Sequence, residues 1–228
     1  MNARTAHDNV SSAAVIDCAT TALSNAEGYD APYRHWIVRD LAPAPIIEAL
    51  RPVEFSAPTL DGVSGKRELH NDERHYFDAA NIERIPAMAA MATAYQSGAL
   101  VTEFATRFGA NLDNTFLRIE YAVDVTGFWL EPHTDLGVKR LTILHYISDD
   151  PGQDDCGTDI YNADKTHAKR TPFERNLALV FVPGEATYHG FENRPIAGVR
   201  KSLIINYVTD DWRDRDQLAF PDTPVRVD

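Results

Sequence analysis

After Gly109 the apolar residues of this chain stop recurring at helical spacing and begin to alternate, and that switch restricts the fold more than any other feature. Before it, from Ile82 to Phe108, the residues Ile85, Met88, Ala89, Ala92 and Tyr95 follow the 3.6-residue period of a helix, and Leu100, Phe104 and Phe108 continue the stripe beyond Gly98. After it, Phe116–Tyr121, Phe128–His133, Arg140–Ile147, Leu177–Val182 and Ser202–Val208 are short runs rich in β-branched and aromatic residues. Turn-forming stretches separate them at Asp124–Gly127, Asp149–Gly157, Pro183–Gly184 and Asn193–Gly198. A helical half followed by many short strands predicts an α+β, mainly β chain: a double-stranded β-helix (jelly roll) with helices packed on one sheet. Its core is expected at about residues 115–210, within a single domain over residues 33–228.

The first third of the chain is less structured in pattern. Residues 1–32, rich in Ala, Ser, Thr and Asn, read as a partly ordered N-terminal arm or a peripheral helix. His35–Val38 is strand-like, Leu41–Pro45 turns the chain, and Ile46–Leu50 makes a short helix before Pro52. Residues 56–76 read as an exposed, charged loop.

Composition narrows the function classes. A length of 228 residues with 44% hydrophobic and 25% charged residues suits a globular domain. The formal charge of −12 argues against nucleic acid or an anionic membrane as partner. The two cysteines, Cys18 and Cys156, form no disulfide framework, so a reducing, cytoplasmic setting is expected. No stretch is long and apolar enough to span a bilayer, and Asp17 interrupts the mildly apolar segment Ser12–Ala22. Oligomeric state leaves no mark in the sequence.

The chemistry sits in three places. His133 and Asp135 form an H-x-D pair, and alternate side chains of a strand share a face, so both can point inward while Thr134 points away. His189 follows after a long gap, between Pro183-Gly184, which permits a tight turn, and Gly190, which permits close backbone approach. Two imidazoles and a carboxylate on one face are the ligand set of mononuclear non-haem Fe(II) oxygenases. Eleven residues beyond His189 come Arg200 and Ser202, two apart and leading into Leu203-Ile204-Ile205. A guanidinium there would need a buried anionic partner, and the far carboxylate of 2-oxoglutarate would serve. Tyr121 is a further candidate donor to that carboxylate. Each feature alone has a plain reading: a strand-end histidine, a turn aspartate before Gly137, a structural histidine, a surface arginine, an aromatic core residue. Their order and spacing in strand-like surroundings point to iron plus 2-oxoglutarate.

From about Thr115 to Val208 the chain resembles the iron(II)- and 2-oxoglutarate-dependent oxygenase superfamily. Leu130-Glu131-Pro132-His133-Thr134-Asp135 matches the family's P-H-x-D element, and Leu141 to Ser148 is similar to its next strand. Cys156-Gly157-Thr158-Asp159-Ile160-Tyr161 occupies the place of its Gly-Gly-Glu-Thr segment, with Cys156 replacing the first glycine. Tyr188-His189-Gly190-Phe191 and Arg200-Lys201-Ser202 resemble the distal histidine and the R-x-S motif. The resemblance implies Fe(II) on His133, Asp135 and His189, and 2-oxoglutarate anchored by Arg200 and Ser202. It also implies hydroxylation of a small-molecule or carrier-bound substrate with release of succinate and CO2. Asp135 matters here, because the halogenase branch of the superfamily lacks the carboxylate ligand.

Residues 61–78 and the loop Asp149–Asn176 are candidate lids. Lys165, His167, Lys169 and Arg170 hint at an anionic substrate group, and Phe128, Trp129, Tyr161 and Phe191 are candidate pocket aromatics. Three other readings stay open: a cupin-like metalloenzyme that does not use 2-oxoglutarate, a protein side-chain hydroxylase, and a non-catalytic binding domain.

Overall fold

The structure, a computed structural model, describes residues 10–60, 65–66, 74–135 and 137–228. In chain order the elements are α1 (Ser12–Ser24), β1 (Glu27–Tyr29), β2 (His35–Arg39), α2 (Ala44–Leu50), β3 (His75–Tyr76), α3 (Ala79–Arg84), α4 (Pro86–Gln96) and α5 (Gly98–Phe108). The strands β4 (Phe116–Asp124), β5 (Leu130–His133), β6 (Lys139–Tyr146), β7 (Asp159–Tyr161), β8 (His167–Arg170), β9 (Leu177–Phe181), β10 (His189–Phe191) and β11 (Arg200–Val208) follow. They form a seven-stranded sheet, β1-β2-β9-β6-β11-β4-β3, and a four-stranded sheet, β5-β10-β7-β8. Every pairing is antiparallel.

The helical stripe is cut into pieces by its own punctuation. Pro86 opens α4 at a position where its missing N–H costs nothing, and α3 ends just before it. Ser97 caps α5 by accepting from Leu100 N, and Gly109 closes it in the left-handed region at φ 68°. Of the two readings of the N-terminal stretch, the helix is the one seen over the described residues from 10 onward: Ser11 caps α1, whose Val15, Ala19 and Leu23 are buried against α4 and α5.

Strand parity divides the large sheet into two faces. Leu117, Ile119, Tyr121 and Val123 of β4, with Leu203, Ile205 and Tyr207 of β11, pack on Met88, Tyr95, Leu100 and Phe104 of the helical layer. Burying each large side chain contributes roughly 1.5–3 kcal/mol, which is why this face is uniformly apolar. The opposite face carries Leu144 and Tyr146 of β6 and Leu179 and Phe181 of β9, which meet Ile160 and Phe191 of the small sheet. Between the sheets lies the cavity that holds the candidate site.

The loop read over Asp149–Asn176 is largely structure. It contains β7 and β8, half of the small sheet, and Arg170 ends that ladder opposite Asp159. Of the other lid candidate, residues 61–64 and 67–73 lie outside the described residues, while His75–Tyr76 pairs with β4 as an edge strand.

Candidate metal centre

β5 and β10 run side by side, with His133 and His189 as direct partners, so residues far apart in sequence stand ring to ring at 4.4 Å between centroids. Close approach depends on Gly190: a Cβ there would lie 2.7 Å from Leu130 O. Asp135 follows two residues after His133, and the potential ligand atoms of His133, Asp135 and His189 all lie within 4.8 Å of one another.

Each imidazole is oriented by a backbone carbonyl. His133 Nδ1 lies 2.9 Å from Glu131 O and His189 Nδ1 3.1 Å from Thr187 O. A carbonyl only accepts, so each Nδ1 carries the proton and each Nε2 keeps its lone pair. Burial, reinforced by His133, pushes His189 down to about 4, which keeps it neutral near pH 7. Burial alone would raise the Asp135 carboxyl, but Lys139 above all, helped by the Thr142 hydroxyl, holds it well below the usual carboxylate range. Two imidazoles presenting Nε2 and an ionised carboxylate at this spacing fit a divalent cation, and the donor set suits Fe(II).

The three residues line a cavity of about 330 Å³, together with Phe128, Leu130, Leu144, Phe191, Ile204, Thr158, Arg200 and Ser202. Arg200 and Ser202 thus share the cavity with the three candidate ligands, as the two-residue spacing predicts. Arg200, however, already has an anionic partner. Its Nη1 donates to Asp124 Oδ2 at 2.5 Å and its Nε to Cys156 O at 2.8 Å, with its guanidinium packed near Phe191. The expectation that a bound carboxylate would be its counter-charge is therefore corrected: Asp124, opposite it on β4, takes that role. Cys156 contributes through its carbonyl, and both cysteines are free thiols.

Tyr121 is a second correction. It lies on the helix-facing side of β4, and its hydroxyl donates to Leu50 O at 2.9 Å, away from the cavity. The hydroxyls near Arg200 belong to other residues: Tyr146 lies 2.7 Å from both Thr158 Oγ1 and Thr171 Oγ1, with its ring 5.4 Å from the guanidinium. Phe128 and Phe191 line the cavity, whereas Trp129 packs over Gly65 and Tyr161 belongs to β7 without lining it.

The predicted basic cluster faces outward. Lys165 sits over Tyr188, Lys169 sits over Tyr29, and Arg170 pairs with Asp155 and Asp159. His167, Asp159 and Glu192 are close enough to suggest a second cation site. Both Asp159 oxygens are taken by guanidiniums instead, Oδ1 by Arg170 at 2.7 Å and Oδ2 by Arg194 at 2.6 Å. Among the described residues, the cations that do line the cavity are Lys66, Arg74, Arg118, Lys139 and Arg200. Sequence reading passed over Lys139 and Thr142, the hydrogen-bond partners of Asp135 among the described residues. The position of Lys139 four residues after Asp135 was the available signal, and Thr142 carried none.

No family model matches the sequence, and no curated protein is similar to it. Solved structures are. A prolyl-4-hydroxylase from Pseudomonas putida superposes with a TM-score of 0.54 at 15% identity, covering 86% of this chain and 93% of that one. A prolyl hydroxylase from Trichoplax adhaerens, in complex with a hypoxia inducible factor oxygen degradation domain peptide fragment, gives 0.56 at 14% identity, covering 92% and 94%. HygX from Streptomyces hygroscopicus, with nickel and 2-oxoglutarate bound, gives 0.50 at 14% identity, covering 85% and 91%. The likeness establishes the fold, the jelly roll expected from the sequence. No helix among the described residues is long and apolar enough to cross a membrane.

Proposed function

We propose that this protein is an Fe(II)- and 2-oxoglutarate-dependent oxygenase that hydroxylates a small or carrier-bound molecule, releasing succinate and CO2. The observation that carries the reading is the convergence of His133, Asp135, His189, Arg200 and Ser202 on one cavity in a fold shared with hydroxylases. Iron chelated by 2-oxoglutarate supplies the dioxygen-dependent oxidation of a carbon–hydrogen bond. The chain's residues do the rest. His133 and His189 offer Nε2 lone pairs and Asp135 offers the charge. Arg200 presents its remaining N–H bonds, with Ser202 and Thr158 hydroxyls, to a distal carboxylate. Phe128, Leu130, Leu144, Phe191 and Ile204 exclude water from the reacting centre.

The cavity wall is rich in charge, but most of that charge is internally paired. Its described residues include five cationic side chains, of which Arg74 and Arg118 pair with Glu120, Lys139 with Asp135 and Arg200 with Asp124, so charge alone does not select the substrate. Two of the similar structures are prolyl hydroxylases, one carrying a peptide, so protein side-chain hydroxylation is the runner-up. The Arg200–Asp124 pair favours one further reading, a metalloenzyme independent of 2-oxoglutarate, because the guanidinium is already neutralised.

Anaerobic addition of Fe(II) and then 2-oxoglutarate separates them. A visible charge-transfer band requiring both, and lost in Arg200→Ala at matched concentrations, supports the proposal. Metal binding without the band supports the 2-oxoglutarate-independent enzyme, and folded protein that binds no metal removes the metal-centre assignment.

A further inference from the structure

Asp135 enters the candidate metal centre with both carboxylate oxygens engaged, by partners of different kinds. Oδ2 accepts from Thr142 Oγ1 at 2.5 Å. Thr142 Oγ1 accepts in turn from Asn206 Nδ2 at 3.0 Å, and Asn206 Oδ1 accepts from Arg118 Nη1 at 3.2 Å. Arginine only donates, so Arg118 fixes which way the Asn206 amide points, and that in turn commits the Thr142 proton to the carboxylate. Arg118, Asn206 and Thr142 are each at most 1% exposed. Arg118 is itself anchored by Gln217 at 2.9 Å and Glu120 at 3.0 Å, near the rings of Tyr76 and Trp212. A buried donor chain that starts at a cation and ends on a carboxylate is a rigid mount.

The other oxygen is held differently. Oδ1 accepts from Lys139 Nζ at 2.5 Å, from a long side chain in the cavity wall that has no other hydrogen-bond partner among the described residues. The lysine side chain is 15% exposed against 6% for the aspartate, so it has room to leave.

We propose that Oδ1 is the oxygen Asp135 gives to the metal, and that Lys139 is an internal counter-ion which the metal displaces while Arg118, Asn206 and Thr142 hold Oδ2. This rests on the metal-centre reading above. Two neighbours of one carboxylate then act with opposite sign. Cutting the mount frees the carboxylate to rotate and weakens metal binding. Removing the ammonium takes away both a competitor and a repelling charge, and strengthens it. A residue that merely supports the fold gives no such gain when replaced.

The test is an anaerobic Mn(II) titration of the full chain without 2-oxoglutarate, followed by the electron paramagnetic resonance signal of free Mn(II), with circular dichroism confirming the fold of each variant. Lys139→Met, and Lys139→Gln as an independent uncharged replacement, are expected to bind Mn(II) about tenfold more tightly than the native protein. Thr142→Val is expected to bind about tenfold more weakly, and Thr142→Ser, which restores the hydroxyl, to bind within twofold of native. Folded Lys139 variants with unchanged or weaker affinity overturn the counter-ion role. Unchanged affinity in folded Thr142→Val overturns the mount. Native protein that binds no Mn(II) at all overturns the metal-centre reading itself, and this inference with it.

Discussion

Asp124→Asn is the substitution with the most to reveal, because it acts on stability and co-substrate binding in opposite directions. Asp124 is fully buried and Arg200 is 5% exposed, so the 2.5 Å contact between them is shielded from solvent. Removing one partner of such a pair leaves a buried charge uncompensated, a cost of about 3–5 kcal/mol. Asparagine keeps an acceptor for the guanidinium, which places the expected loss near about 3 kcal/mol. For a chain of this size that lowers Tm by about 6–12 °C. The freed guanidinium should meanwhile hold a carboxylate more tightly, so saturating 2-oxoglutarate with Mn(II) should raise the Tm of the variant more than that of the native protein. Urea unfolding of Asp124→Asn, Arg200→Met and the double variant measures the coupling, expected at about 2 kcal/mol or more. Losses that add within about 0.5 kcal/mol would refute the claim that Asp124 is the operative counter-charge of Arg200.

Acid should weaken the metal-free protein through its buried histidines. Burial pushes both His145 and His189 down to about 4, below the unfolded value of about 6.5. The unfolded chain therefore binds protons more readily, and stability present above about pH 6.5 is lost as pH falls toward 4, by at most about 3 kcal/mol per histidine. Urea midpoints equal at pH 7 and pH 4.5 would contradict this. Gly190→Ala should force the β5–β10 backbones apart, since its Cβ would sit 2.7 Å from Leu130 O. A loss of about 1–3 kcal/mol and of most Mn(II) affinity is expected, and native-like titration would count against the register argument. Tyr121→Phe should cost about 1 kcal/mol by removing its hydrogen bond to Leu50 O, which keeps the one from Val53 N, while leaving the dissociation constant for 2-oxoglutarate unchanged. A weakened 2-oxoglutarate complex would return Tyr121 to the cavity.

Local pattern was enough for the fold class and for the motif residues. Helical spacing ending at Gly109 and alternation beyond it mark a helical layer and a β layer, because side-chain direction follows from backbone geometry within a few residues. His133, Asp135, His189, Arg200 and Ser202 could be picked out for the same reason: spacing along a strand specifies which side chains share a face. What spacing cannot specify is which of the two faces the cavity occupies. Tyr121 and Arg200 lie on neighbouring strands, yet the β4–β11 register sets Arg200 opposite Asp124 and Tyr121 opposite Leu203, on opposite faces of the sheet. The β7–β8 half of the small sheet was read as a loop because these strands are three and four residues long and are held mainly by their partners. Asp124 as counter-charge, and Asn206 and Arg118 behind Thr142, exist only through contacts spanning 64 to 88 residues of chain. The residue types that can hold iron and a dicarboxylate are written in the sequence; which charges already face them is decided only when distant strands come into register.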